Sequence, residues 1–208
     1  MTARYAVYAA PAADSALQRA AEDWYARHAA ITVSARHYGF HATLKPPFRL
    51  AGGRTVEELE ATVAALAASL SPARCRLRVG LIGGFLALVP EAGEEAIAAI
   101  AARCVADLDG FRAPAPPEEL ARRRAAGLST RQEALLRQWG YPYVMEEFRL
   151  HFTLTDRLEP ERDDIAAAAQ AHFADCVRAP FVLDQLCLFA QISETTDFLV
   201  RSRHPLHR

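Results

Sequence analysis

His41-Ala42-Thr43-Leu44 recurs 110 residues later as His151-Phe152-Thr153-Leu154, so the chain carries two copies of an H-x-T-L motif. Two imidazoles can supply both halves of an acid–base reaction. A neutral ring takes a proton from attacking water, and a protonated ring gives one to a leaving oxygen. An ordinary imidazole titrates near pH ~6.5, so both forms are accessible in a cell. The threonine hydroxyls can donate to non-bridging oxygens as charge builds on a pentacovalent phosphorus. His41, Thr43, His151 and Thr153 therefore form a candidate catalytic set for phosphodiester hydrolysis. Neither motif has a neighbouring carboxylate cluster of magnesium-ligand character, so neither a metal nor a cofactor is expected. A single H-x-T on a strand is ordinarily structural, and the recurrence in matched surroundings is what favours a site.

Strand geometry extends the set. Side chains alternate across a strand, so His41 and Thr43 share a face, as do His151 and Thr153. The apolar partners Phe40, Ala42 and Leu44, and Leu150, Phe152 and Leu154, face the core. The same parity puts Lys45 and Arg149 on the catalytic side, at opposite ends of their strands. They either neutralise a substrate phosphate or are solvated strand-end charges. Tyr38 and Tyr143 are candidates to stack on a sugar or base, although packing at the rim is the commoner use of such rings.

The elements that must position these residues are legible from periodicity. Tyr5–Ala10 reads as a strand and 15–28 as a helix. Phe40–Leu44 reads as a strand ended by Pro46-Pro47. Thr55 with Glu58, and Ser129 with Gln132, have the spacing of capping boxes that start helices. Residues 75–90 read as a hairpin turning at Gly83-Gly84, 94–108 as a helix, 147–155 as a strand, 163–175 as a helix and 181–200 as a second hairpin. The order strand, helix, hairpin thus appears twice, over segments 38–90 and 148–200. Between them lie a proline-rich linker, Arg112–Pro117, and a helical insertion, together about 111–140. The expected fold is a single bilobal α+β domain over 1–208. In it, two antiparallel sheets surround a central cleft, with helices outside.

Composition narrows the class. With 51% hydrophobic and 24% charged residues, the chain is ordinary globular protein. No apolar run approaches the ~20 residues that span a bilayer, and the segment after Met1 reads as a strand, so no membrane partner is expected. Cys75, Cys104, Cys176 and Cys187 form no C-x-x-C pair and read as reduced thiols, which points to the cytoplasm. The net charge of −1 does not suggest nonspecific binding to DNA or long RNA. Oligomeric state is left open.

These motifs resemble those of the two-histidine (2H) phosphoesterase superfamily, which includes RNA 2′,3′-cyclic phosphodiesterases and RNA ligase-like proteins. The strings from Tyr38 to Phe48, from Gly140 to Tyr143 and from Phe148 to Thr155 resemble one branch in particular, a bacterial family encoded in phosphonate-utilisation operons. The resemblance covers nearly the whole chain. It implies the catalytic roles of His41, Thr43, His151 and Thr153. The operon context implies a small phosphorylated substrate, with ribose 1,2-cyclic phosphate 5-phosphate as the specific expectation. The rival expectations are an RNA 2′,3′-cyclic phosphodiesterase acting on RNA ends, and a module that binds a phosphate or RNA end without turning it over.

Overall fold

The computed structural model describes residues 3–158, 163–193 and 195–207; Met1, Thr2 and Arg208 at the two ends lie outside them. β1 (Arg4–Ala9) leads to α1 (Ala16–Arg27), whose first turn is capped by the Ser15 hydroxyl accepting the Gln18 N–H. A six-residue helix, α2 (Val33–Tyr38), comes next; residue periodicity gave no sign of it. β2 (Ala42–Phe48) carries the first motif. α3 (Val56–Ala68) opens with the expected Thr55/Glu58 capping box. β3 (Ala73–Ile82) and β4 (Phe85–Ala92) form the hairpin at Gly83-Gly84, where both glycines have positive φ. α4 (Glu95–Asp107) buries Ile97, Ile100, Cys104 and Val105.

The insertion consists of α5 (Pro117–Arg124) and α6 (Thr130–Trp139). The Ser129/Gln132 capping box starts α6, and Gly140, at φ 73°, ends it in the left-handed conformation that favours glycine. β5 (Phe152–Thr153) carries the second motif, followed by α7 (Asp163–Phe173), β6 (Phe181–Leu183), β7 (Gln185–Gln191) and β8 (Leu199–Pro205).

Two antiparallel four-stranded sheets result, ordered β2-β1-β7-β8 and β5-β4-β3-β6. Each motif strand is an edge strand. The strand beside it is the one that precedes it in the chain, through intervening helices. Beyond it, β7 of the second segment lies beside β1, while the β3–β4 hairpin of the first segment lies between β5 and β6 of the second. The two halves therefore exchange strands, and the hairpin after each motif does not build that motif's own sheet. The expected hairpin over 181–200 divides accordingly, with β6 joining β3 while β7 and β8 form a hairpin in the other sheet. One apolar cluster includes Phe40 and Leu44 of the first motif segment and Leu150, Phe152 and Leu154 of the second. Phe40 stacks on Phe152 with ring centroids 5.1 Å apart.

Two strand expectations change. β2 runs through Pro46-Pro47 to Phe48. Proline lacks the N–H a ladder needs, and an edge strand with irregular register tolerates that loss. Its register against β1 shifts twice, between Tyr5↔Phe48 and Val7↔Lys45 and again before Tyr8↔Thr43. The strand expected over 147–155 shrinks to Phe152–Thr153. Extending its pairing with β4 would set Leu150 opposite Pro90, which has no N–H to give, and the Leu150 N–H donates instead to the Glu94 carboxylate at 2.6 Å.

Candidate active site

The two histidines are held alike. His41 Nδ1 lies 2.9 Å from the Gly39 carbonyl, and His151 Nδ1 lies 2.8 Å from the Arg149 carbonyl, each two residues upstream. A carbonyl can only accept, so Nδ1 carries the hydrogen in both rings and Nε2 is left for chemistry. The Thr43 hydroxyl lies 3.4 Å from His41 Nε2. Beneath His41, Tyr8 of β1 stacks with centroids 3.7 Å apart and planes 19° from parallel. Burial pushes His41 down to about 4, with the nearby His151 acting in the same direction against the opposing hydrogen bond to Gly39.

Contacts between the halves fix the two motifs together. From α1, the Trp24 indole N–H donates to the Leu154 carbonyl at 2.9 Å and the Tyr25 hydroxyl to the Thr153 carbonyl at 2.6 Å. Asp156, just past the second motif, accepts the N–H groups of Val33 and Ser34 at 2.9 and 3.0 Å. It thereby caps α2, the helix that delivers Gly39 and His41.

The cleft has two neighbouring parts. A cavity of about 500 Å³ is lined by Thr43, Arg149, His151, Tyr141 and Tyr143, with Gln132 and Glu147 from the insertion side. A shallower recess holds His41, Thr153 and Tyr38. Phe85 and Arg157 line both. Thr43, Arg149, His151 and Tyr143 thus line the cavity, and His41, Thr153 and Tyr38 line the recess beside it. Among the described residues, no group of three or more His, Cys, Asp or Glu side chains is arranged to hold a metal ion. Cys75, Cys104 and Cys187 are buried and Cys176 is half-buried, all as free thiols. No described helix is long and apolar enough to cross a membrane.

Lys45 is the exception. It is 2% exposed, and its ammonium donates to the Val105 carbonyl at 3.0 Å, 3.8 Å from Asp109. Burial pushes the amine down to about 8, against the opposing pull of Asp109. Strand parity fails here because the register shift between Val7↔Lys45 and Tyr8↔Thr43 sets an extra residue of β2 against β1. Leu44 and Lys45 are then both buried. The cation in Lys45's place at the cleft is Arg157. Counting by twos from His151 reaches it, but the break after Thr155 concealed it. Tyr8 had no signal in a strand buried on both faces.

The family described as "Protein of unknown function (DUF1045)" matches residues 43–199. A protein of Janthinobacterium sp. (strain Marseille) named ribose 1,5-bisphosphate phosphokinase PhnN is 39% identical, over 97% of this chain and 50% of its own length. A protein of the same name from Laribacter hongkongensis (strain HLHK9) is 35% identical, over 90% of this chain and 48% of its own. The chain thus spans about half the length of these curated relatives. The fold is shared with E. coli LigT, solved in complex with 3′-AMP, at a TM-score of 0.52, 12% identity and full coverage of both chains. A phosphoesterase structure gives a TM-score of 0.51, also at 12% identity and full coverage. The chain therefore shares the fold of LigT and of that phosphoesterase.

Proposed function

The chain belongs to the family described as "Protein of unknown function (DUF1045)", and we propose that it is a cyclic phosphodiesterase of the two-histidine type acting on a small phosphorylated sugar. The observation that carries this reading is the matched pinning of both imidazoles by upstream carbonyls, which leaves two Nε2 atoms for one cleft. Burial keeps His41 neutral, so it is the base. His41 Nε2 takes a proton from water as the water oxygen bonds to phosphorus. The opposite ring P–O bond breaks, and its oxygen takes a proton from His151. Solvent then returns the two rings to their starting forms. Thr43 and Thr153 donate to the non-bridging oxygens, and Arg149 and Arg157 hold phosphate charge.

The substrate we favour is ribose 1,2-cyclic phosphate 5-phosphate, in phosphonate catabolism. Opening its ring at the O2–P bond leaves ribose 1,5-bisphosphate, the compound in the names of relatives twice this chain's length. The sequence itself contains no G-x-x-x-x-G-K-[ST] phosphate loop, so the kinase part of those names finds no such motif in this half.

Hydrolysis of this compound, of ribose 1,2-cyclic phosphate and of an RNA 2′,3′-cyclic end, with product identification, tests the reading. Turnover should persist with chelator present. His41→Ala and His151→Ala should each cost on the order of a hundredfold or more in rate. Preference for the RNA end would transfer the assignment to RNA processing. Binding without turnover by wild type would leave a binding module.

A further inference from the structure

Glu147, Arg149, His151 and Thr153 follow at two-residue intervals, and all four line the cleft. A carboxylate in a phosphate pocket is unfavourable unless it has a donor to receive. The Glu147 carboxylate accepts a hydrogen bond from a neutral group, the Gln132 amide, whose N–H donates to Oε2 at 2.9 Å, and it also feels the charge of Arg131. The amide orientation is itself fixed, because Gln132 Oε1 accepts the Ser129 N–H at 3.1 Å. The glutamine that closes the capping box of α6 therefore also aims a carboxylate. Neighbouring Glu146 is spent on Arg131 at the surface. The turn that brings Glu147 inward starts at Met145, whose φ of 54° makes it the one non-glycine residue with positive φ among the described residues. Such conformations are retained where the surroundings over-determine them, commonly at ligand clamps.

We propose that Glu147 is a specificity-determining residue that accepts a hydrogen bond from a free sugar hydroxyl of the substrate, with Gln132 as its positioning residue. This rests on the cyclic phosphodiesterase reading. The phosphates are drawn to Arg149, Arg157 and the histidines, and the acidic end of the cavity repels them. A hydroxyl donor is the group that suits that end. In ribose 1,2-cyclic phosphate 5-phosphate the furanose has one unesterified hydroxyl, at C3, and Glu147 would read it.

The test compares kcat/KM for this compound and its 3-deoxy counterpart. Wild type should prefer the hydroxyl compound by tenfold to a hundredfold, the range for a hydrogen bond to a charged acceptor. Glu147→Ala should bring the ratio to within about twofold. Gln132→Met should lower the ratio toward that of Glu147→Ala, an effect that a purely structural glutamine would not have. A wild-type ratio near one overturns the inference without needing any variant to fold. So does a Glu147→Ala enzyme that speeds both compounds equally, since the carboxylate would then only repel anions. If wild type turns over neither compound, the cyclic phosphodiesterase reading fails and takes this inference with it; a failed ratio alone leaves that reading standing.

Discussion

Acidifying the protein should spare the proposed catalytic base, His41, far longer than an ordinary histidine would allow. His41 has Tyr8 stacked on one face and Phe189 a further 6.2 Å away between centroids, so charging the ring forfeits solvation. Moving its midpoint from 6.5 to about 4 corresponds to about 3 kcal/mol against the charged form. At pH 5.5 an ordinary imidazole is roughly nine-tenths protonated, whereas one with a midpoint of about 4 is only a few per cent protonated. The acid limb of kcat/KM, which reports the free enzyme, should therefore lie near pH 4 and the profile should be flat through pH 5.5. The assay needs a cyclic diester without a 5-phosphate, because a monoester titrates near pH ~6 and would mask the limb.

The same ring makes a stability prediction of definite sign. The unfolded chain protonates His41 near 6.5 while the folded chain resists until about 4, so unfolding takes up a proton between those values. Stability from this group is intact above the unfolded midpoint and is lost as pH falls through the folded one, by at most about 3 kcal/mol. Urea unfolding at pH 7.5 and 4.5 should show that slope in wild type, and His41→Gln should lack it. An acid limb near 6.5, or an imidazole that titrates there by NMR in the free protein, would refute the argument.

Arg157→Ala should reduce the preference for a 5-phosphorylated ring by tenfold to a hundredfold, as Arg149→Ala should. Lys45→Ala should leave that preference unchanged and lower stability by about 2–4 kcal/mol, since it leaves a cavity and removes the Val105 carbonyl's donor; urea unfolding with paired kcat/KM values separates these outcomes. Asp156→Ala removes the cap of α2 and should cost about 0.5–2 kcal/mol in the same unfolding assay. Because α2 delivers His41, kcat should also fall while Arg157-dependent substrate preference remains.

Local chemistry is what the sequence by itself determined. The paired H-x-T-L motifs singled out both histidines and both threonines as candidates, because motif recurrence needs no knowledge of packing. Both capping boxes and the Gly83-Gly84 turn were also legible, since each is set by residues within a few positions of one another. The tertiary structure decided whatever depends on pairing between distant strands. A register shift in β2 turned Lys45 inward, and no count along the chain can detect an extra residue against a partner strand. Pro90, sixty residues before Leu150, cut the second motif strand to two residues. The exchange of β3 and β7 between the halves, and Tyr8 beneath His41, likewise follow from which strands meet. So does the resistance of His41 to a proton, which comes from the packing around that ring.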